Sequence, residues 1–141
     1  GYIRGHNVRQ PWPGAPCKGR PVRPKSCVYA EAAKPVQSFY GTDNWTRAVL
    51  VEDQLSAMKV ARYAPAYGVA LMGAYLDIPR VQEIARLRPT EVLLALDKDA
   101  TETAFKLARE YGLAFNKMRV VILDQDIKDT PANKINEVLG L

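Results

Sequence analysis

The chain has 141 residues, 48% of them hydrophobic, and carries 20 Lys and Arg against 15 Asp and Glu, a formal net charge of +5. That length fits one domain with a real core, and no apolar run approaches the roughly 20 residues that a membrane span needs. No secretory signal pattern opens the chain, so the expected location is cytoplasmic (the host cytoplasm if the source is viral) and the expected partners exclude the membrane.

The first segment is set apart by composition. Residues 1–35 hold six of the ten prolines and show no sustained periodicity. They read as an extended arm with short strand pieces such as Ser26-Cys27-Val28-Tyr29. Arg4, Arg9, Lys18, Arg20, Arg23 and Lys25 precede the first acid, Glu31, which leaves 14 basic residues against 15 acidic ones in the remainder. A segment of this kind favours polyanions, nucleic acid above all; the alternative is a solvated basic arm. Trp12, Tyr29, Phe39, Tyr40 and Trp45 lie among or just after these charges, placed either to stack on bases or to pin the arm to a surface. Cys17 and Cys27 have only His6 to join them. A structural zinc site takes four Cys or His ligands, so no zinc is expected and the two are read as ordinary thiols. The chain begins at Gly1 rather than Met, as an excised piece of a longer protein would. The arm is drawn to residue 46, and a catalytic domain from 47 to 141.

From Arg47 the pattern alternates. Ala48 to Val51 reads as a buried strand, and 54–64 as a helix stopped by Pro65. Tyr67 to Met72 is a second strand, closed by Gly73. Asp77 can cap a helix with Pro79 in its first turn and Val81, Ile84 and Ala85 inward, ended by Pro89. Glu91 to Leu96 is the third strand. Residues 100–111 form a helix with Ala104, Leu107, Ala108 and Tyr111 on one face, stopped by Gly112. Met118 to Leu123 is the fourth strand, and 131–139 a last helix with Ile135, Val138 and Leu139 inward. Strand and helix in alternation mean a four-stranded parallel sheet with helices on both faces. Right-handed crossovers permit the strand order 2-1-3-4.

In that order the first and third strands are neighbours at a switch point, where ligands of open α/β sheets gather. The crevice there would be lined by Glu52, Asp97 and Asp99. Asp99, with Glu102 three residues on, also resembles a capping box, and Glu52 could cap the next helix or sit at its positive end. Asp97 comes straight off a buried strand, and two carboxylates one residue apart repel unless a cation intervenes; alternation points Lys98 to the other side. Three oxygen donors at two strand ends suggest magnesium, for which manganese can substitute, and magnesium sites usually handle phosphates. Asp124, Asp126 and Asp129 after the fourth strand are turn residues that could also reach a metal, and Asp129 could instead cap the last helix. No Walker pattern and no dinucleotide fingerprint are present.

Val49-Leu50-Val51-Glu52-Asp53-Gln54-Leu55-Ser56-Ala57 and Leu94-Ala95-Leu96-Asp97-Lys98-Asp99, in that order within a small parallel α/β unit, resemble the Toprim domain of DnaG-type primases, topoisomerases and some nucleases. The branch they resemble most is the phage primase or primase–helicase one. Val69-Ala70-Leu71-Met72-Gly73-Ala74 and Asp126-Ile127-Lys128-Asp129 are similar to further primase stretches. Asp53 stands where the family often has Gly, and Ser56 where primases often have Asp. The resemblance covers 47 to about 139. It implies that Glu52 acts in acid–base or metal chemistry, that Asp97 and Asp99 hold magnesium, with Asp129 a further candidate ligand, and that Lys128 and Lys98 are candidates for binding a nucleotide. The implied activity is primase-like nucleotidyl transfer, RNA primer synthesis on single-stranded DNA from nucleoside triphosphates during phage replication. A replicative helicase and a separate zinc-binding module are the implied protein partners. The alternatives are a metal-dependent nuclease and a non-catalytic DNA-binding module of a replication complex.

Overall fold

Four short, mostly apolar runs decide the architecture, because strands with little polar surface must be covered on both sides. In the computed structural model of the chain, residues 37–42 and 44–141 are described in full, with the backbone of two further strands, β1 (His6–Val8) and β2 (Arg20–Val22). Two compact units result, Gly1–Val36 and Gln37–Leu141. In the first, β1 and β2 pair antiparallel, His6 opposite Val22. The strand piece expected at 26–29, both cysteines and the side chains of the six basic residues of the arm lie outside the described residues.

The second unit is an α/β layer structure. Its strands are β3 (Ser38–Tyr40), β4 (Arg47–Val51), β5 (Tyr67–Ala70), β6 (Glu91–Leu94) and β7 (Met118–Val120). They lie in the order β3-β5-β4-β6-β7. The last four reproduce the expected 2-1-3-4 order and are parallel. The sheet nevertheless has five strands, not four. Residues 38–40, assigned to the arm by composition, form an edge strand antiparallel to β5, with Phe39 opposite Val69. A three-residue strand beside prolines and charges leaves no periodic signal of its own; it exists because β5 offers it an edge.

Helices cover both faces. On one, Val49, Val51, Leu93, Ala95 and Val121 pack with Ala57 and Val60 of α1 (Gln54–Tyr63) and with Ile135 and Leu139 of α4 (Ile135–Leu139). On the other, Ala48, Leu50, Val69, Val92 and Leu94 pack with Val81 and Ile84 of α2 (Ile78–Ala85) and with Ala104 and Leu107 of α3 (Thr101–Tyr111). Ala85, expected on the inward face of α2, is exposed. Gly112 does not stop α3 through a left-handed cap. Its φ is −59°, and the helix tightens into a 3-10 turn over Gly112–Ala114. The left-handed cap falls instead on Gly140 after α4, where Leu141 N–H donates to Asn136 O.

Two features bring α1 close to the strand ends. A Cβ on Gly68 would stand 1.9 Å from the Ala57 carbonyl oxygen, so only glycine lets the α1 backbone lie this near β5. Asp53 caps α1, its Oδ1 accepting from Ser56 N–H at 3.0 Å. At the opposite end of the sheet, Glu91 is ringed by Arg47 at 3.3 Å, Lys117 at 3.2 Å and Arg119 at 2.8 Å. Partial burial opposes its ionisation, but the hydrogen bonds and charges of Arg119 and Lys117 outweigh that and hold its carboxyl below the usual value. Arg119 also donates to Leu139 O at 2.7 Å, tying β7 to α4.

Candidate functional site

The carboxyl ends of β4, β6 and β7 open on the same edge of the sheet, and each releases acids there. Glu52 follows β4 directly. Beyond β5 the chain turns through Met72, left-handed at φ 59°, and Gly73 at φ 130°. Gly73 N–H donates to Glu52 O at 3.1 Å, so this turn holds the Glu52 main chain from above. Only glycine adopts such a φ freely, and Met72 beside it is an uncommon left-handed residue of the kind found near sites.

Glu52 does not cap α1; Asp53 does. The Glu52 carboxyl accepts from the Asp97 backbone N–H, and its Oε1 is buried without a hydrogen-bond partner. Burial, then the charges of Asp97 and Asp99, push the Glu52 pKa up to about 7, with a smaller push from Asp126 and an opposing hydrogen bond from the Asp97 backbone N–H. Asp97 is also raised, first by burial and then by Asp126, with Asp53 and Asp99 adding to the repulsion and Lys128 offsetting part of it. Two acids raised by burial and by overlapping sets of neighbouring charges lie in one electrostatic field.

Asp99 lies in a 3-10 turn, Lys98–Ala100, and is exposed. The capping box suggested by Asp99 and Glu102 does not form: the position before α3 is Ala100, with no side-chain cap. Thr101 Oγ1 instead bonds Lys98 O at 2.9 Å. Lys98 itself is exposed. Asp129 is exposed in the turn Ile127–Asp129 and caps no helix, since the residue before α4 is Lys134. Asp126 is the acid of this loop whose charge reaches both Glu52 and Asp97.

Lys128 completes the group. Its Nζ stands 3.7 Å from Asp53 Oδ2 and 3.6 Å from Asp126 Oδ2. Burial pulls its pKa down, but Asp53, Asp97 and Asp126 outweigh it and raise the value. Its main chain is pinned on both sides. The N–H donates to Ser56 Oγ at 3.2 Å, and the carbonyl accepts from Lys59 Nζ at 2.9 Å. Ser56 Oγ in turn donates to Asp53 Oδ2 at 2.8 Å.

The donor set is all carboxylate oxygen, the chemistry magnesium prefers, and the orphaned Glu52 oxygen and the raised acids fit a missing positive charge. As the side chains stand, however, no three His, Cys, Asp or Glu groups among the described residues are placed to hold one metal ion. Asp53 and Ser56 are not marked as site residues by spacing, and Asp126 is marked only together with Asp124 and Asp129. The signal for Asp53 was its place three residues before Ser56 at a helix start; nothing local distinguishes Asp126 from Asp124 and Asp129.

No family model, no curated protein and no solved structure matches this chain.

Proposed function

We propose that the chain is the Toprim-like core of a magnesium-dependent, primase-like nucleotidyltransferase acting on single-stranded DNA. One observation carries this reading: Glu52 and Asp97 stand at the carboxyl ends of two adjacent parallel strands, where the charges of Asp97 and Asp99 add to burial in raising the Glu52 pKa. Asp53, Asp97 and Asp126 share the charge of Lys128, and carboxylates gathered this closely repel unless further positive charge joins them. Glu52, Asp97 and Asp99, with Asp126 beside them and Asp129 further out, are the residues that would hold magnesium, which supplies charge neutralisation for a triphosphate and its leaving pyrophosphate. Lys128 and Lys98 flank the acids and offer point charges to phosphate oxygens. The basic residues 4–25 would guide the template strand.

A second reading uses the same edge. With a pKa of about 7, Glu52 is half-protonated near neutral pH, which suits a general acid or base. A nuclease could use it to take a proton from an attacking water. Incubation with single-stranded DNA, ribonucleoside triphosphates and magnesium separates the two. Nucleotide-dependent primers support synthesis. Cleavage without nucleotides supports the nuclease, and binding with neither product leaves a DNA-binding module.

A further inference from the structure

β7 is the last strand of its sheet, with β6 on one side and no strand of the described residues on the other. Its ladder to β6 fixes which main-chain groups face outward. Val92 N–H donates to Lys117 O and Val121 N–H to Leu94 O, each at 2.8 Å. Alternation therefore gives residues 117, 119 and 121 to β6. It turns the N–H and C=O groups of Met118, Val120 and Ile122 to the open side. No hydrogen bond joins these outward groups to another described residue. The chain runs without a bend from Lys117 to Leu123 and bends beyond both ends, at Phe115–Asn116 and Asp124–Gln125. Val120 is the midpoint of that stretch. Met118 and Val120 are half-buried against the layer of α2 and α3. Ile122, on the same face by alternation, is 67% exposed. Charge is uneven along this edge. At its amino end Arg47, Lys117 and Arg119 share the one charge of Glu91, which leaves a positive surplus. Beyond its carboxyl end the loop carries Asp124, Asp126 and Asp129 against Lys128 alone.

We propose that this edge pairs with the same edge of a second copy of the chain, antiparallel about a two-fold axis at Val120, so that two sheets become one. The strand is complementary to itself in this register. With Val120 opposite Val120, Met118 meets Ile122 of the second copy and Arg119 meets its Val121. No charge then stands directly opposite its own kind. Centring the pair on Arg119 instead would set two guanidinium groups against each other, and centring it on Val121 would run Met118 into the bend at Asp124. The two-fold also lays the basic end of each strand beside the acidic end of the other. A parallel copy would lay like beside like. Each outward N–H of Met118, Val120 and Ile122 finds a carbonyl of the second copy, and the exposed face of Ile122 is covered. Charged side chains often guard sheet edges. Arg119 does not guard this one, because Glu91 at 2.8 Å and Leu139 O at 2.7 Å hold its guanidinium back.

The test is sedimentation of the full chain from about 1 to about 500 μM, the range in which so small an interface associates. The unmodified chain is expected to pass from monomer to dimer, and the Val120 amide to exchange its hydrogen more slowly as the dimer forms. Ile122→Lys alters an exposed side chain and sets a charge against Met118 of the second copy. Val120→Pro removes an outward N–H that the ladder to β6 does not use. Each is expected to weaken the dimer roughly tenfold or more. Leu113→Lys, which removes a fully exposed leucine outside the strand, should dimerise like the parent. Melting checks that each variant folds, and Ile122→Lys decides alone if Val120→Pro melts early. A chain that stays monomeric throughout overturns the proposal, as does a dimer that survives Ile122→Lys. Equal loss in Leu113→Lys overturns it in favour of general apolar association. Slow exchange at Met118, Val120 and Ile122 in a monomeric chain overturns it as well, and assigns the edge to a segment of the same chain.

Discussion

Glu52 is where the environment departs furthest from what the residue type leads one to expect. Folding raises its pKa from the ordinary 4.5 to about 7, so the folded state keeps a proton that the unfolded chain releases. Its contribution therefore favours folding below pH 4.5 and is lost as pH rises toward 7. Asp97, also raised, acts in the same direction. Glu52→Gln should be more stable than the parent at pH 8 by about 1 kcal/mol, less than the full shift implies because the site is open to water. Between pH 4.5 and 7 its stability should fall less steeply. Urea unfolding at pH 5 and pH 8 measures both, and equal slopes for the two proteins would contradict the shared field. Asp97→Asn should abolish metal-dependent activity with the fold retained and with higher metal-free stability. Asp129→Ala should change stability by no more than about 0.5 kcal/mol, since Asp129 is exposed and caps nothing. With the cap role gone, any loss of magnesium-dependent activity in that variant speaks for a part in the site.

At the scale of elements, the close seat of α1 on β5 positions the site. Gly68→Ala places a methyl against the Ala57 carbonyl, a main-chain atom that cannot yield without moving the helix. A cost of about 3 kcal/mol is expected, and because α1 carries Asp53, Ser56 and Lys59, cation affinity should fall as well. Thermal melting checks the first and manganese titration the second. A variant with unchanged melting would mean that α1 shifts freely. Asp53→Ala removes the α1 cap at a cost of about 1 kcal/mol and takes away one partner of Lys128. Glu91 does comparable structural work at the far end of the sheet, where three cations meet one carboxylate and join β4, β6 and β7.

For the whole molecule, charge is divided between the two units. Residues 1–36 carry seven basic residues, the six before Glu31 and Lys34, against the single acid Glu31, while residues 37–141 carry 13 basic against 14 acidic. Deleting residues 1–36 should weaken single-stranded DNA binding and flatten its salt dependence, lowering the slope of log affinity against log salt by up to about 4 if all six residues touch phosphates. Fluorescence anisotropy between low and moderate salt gives that slope. An unchanged slope in the truncated protein would move the DNA-binding surface to the sheet unit.

The order of the four parallel strands and most inward helix positions, though not Ala85 of α2 or the first turn of the last helix, followed from the sequence because apolar periodicity and turn residues are local signals that burial in an α/β sheet then enforces. Val49, Leu93 and Ile135 could be placed inward from spacing alone. The convergence of Glu52 and Asp97 could be reached from the 2-1-3-4 order, since chain topology brings their strand ends together. What spacing could not decide was which neighbour each polar side chain would choose. Asp53 rather than Glu52 caps α1, Asp126 rather than Asp129 shares the field of the site, and Lys128 reaches Asp53 across 75 positions of chain. The edge strand β3 is of the same kind, because a three-residue strand has too little pattern of its own and takes its form from the open edge of β5. Hydrogen bonds and ion pairs between distant segments depend on distances of a few ångströms, and only the packed fold sets those.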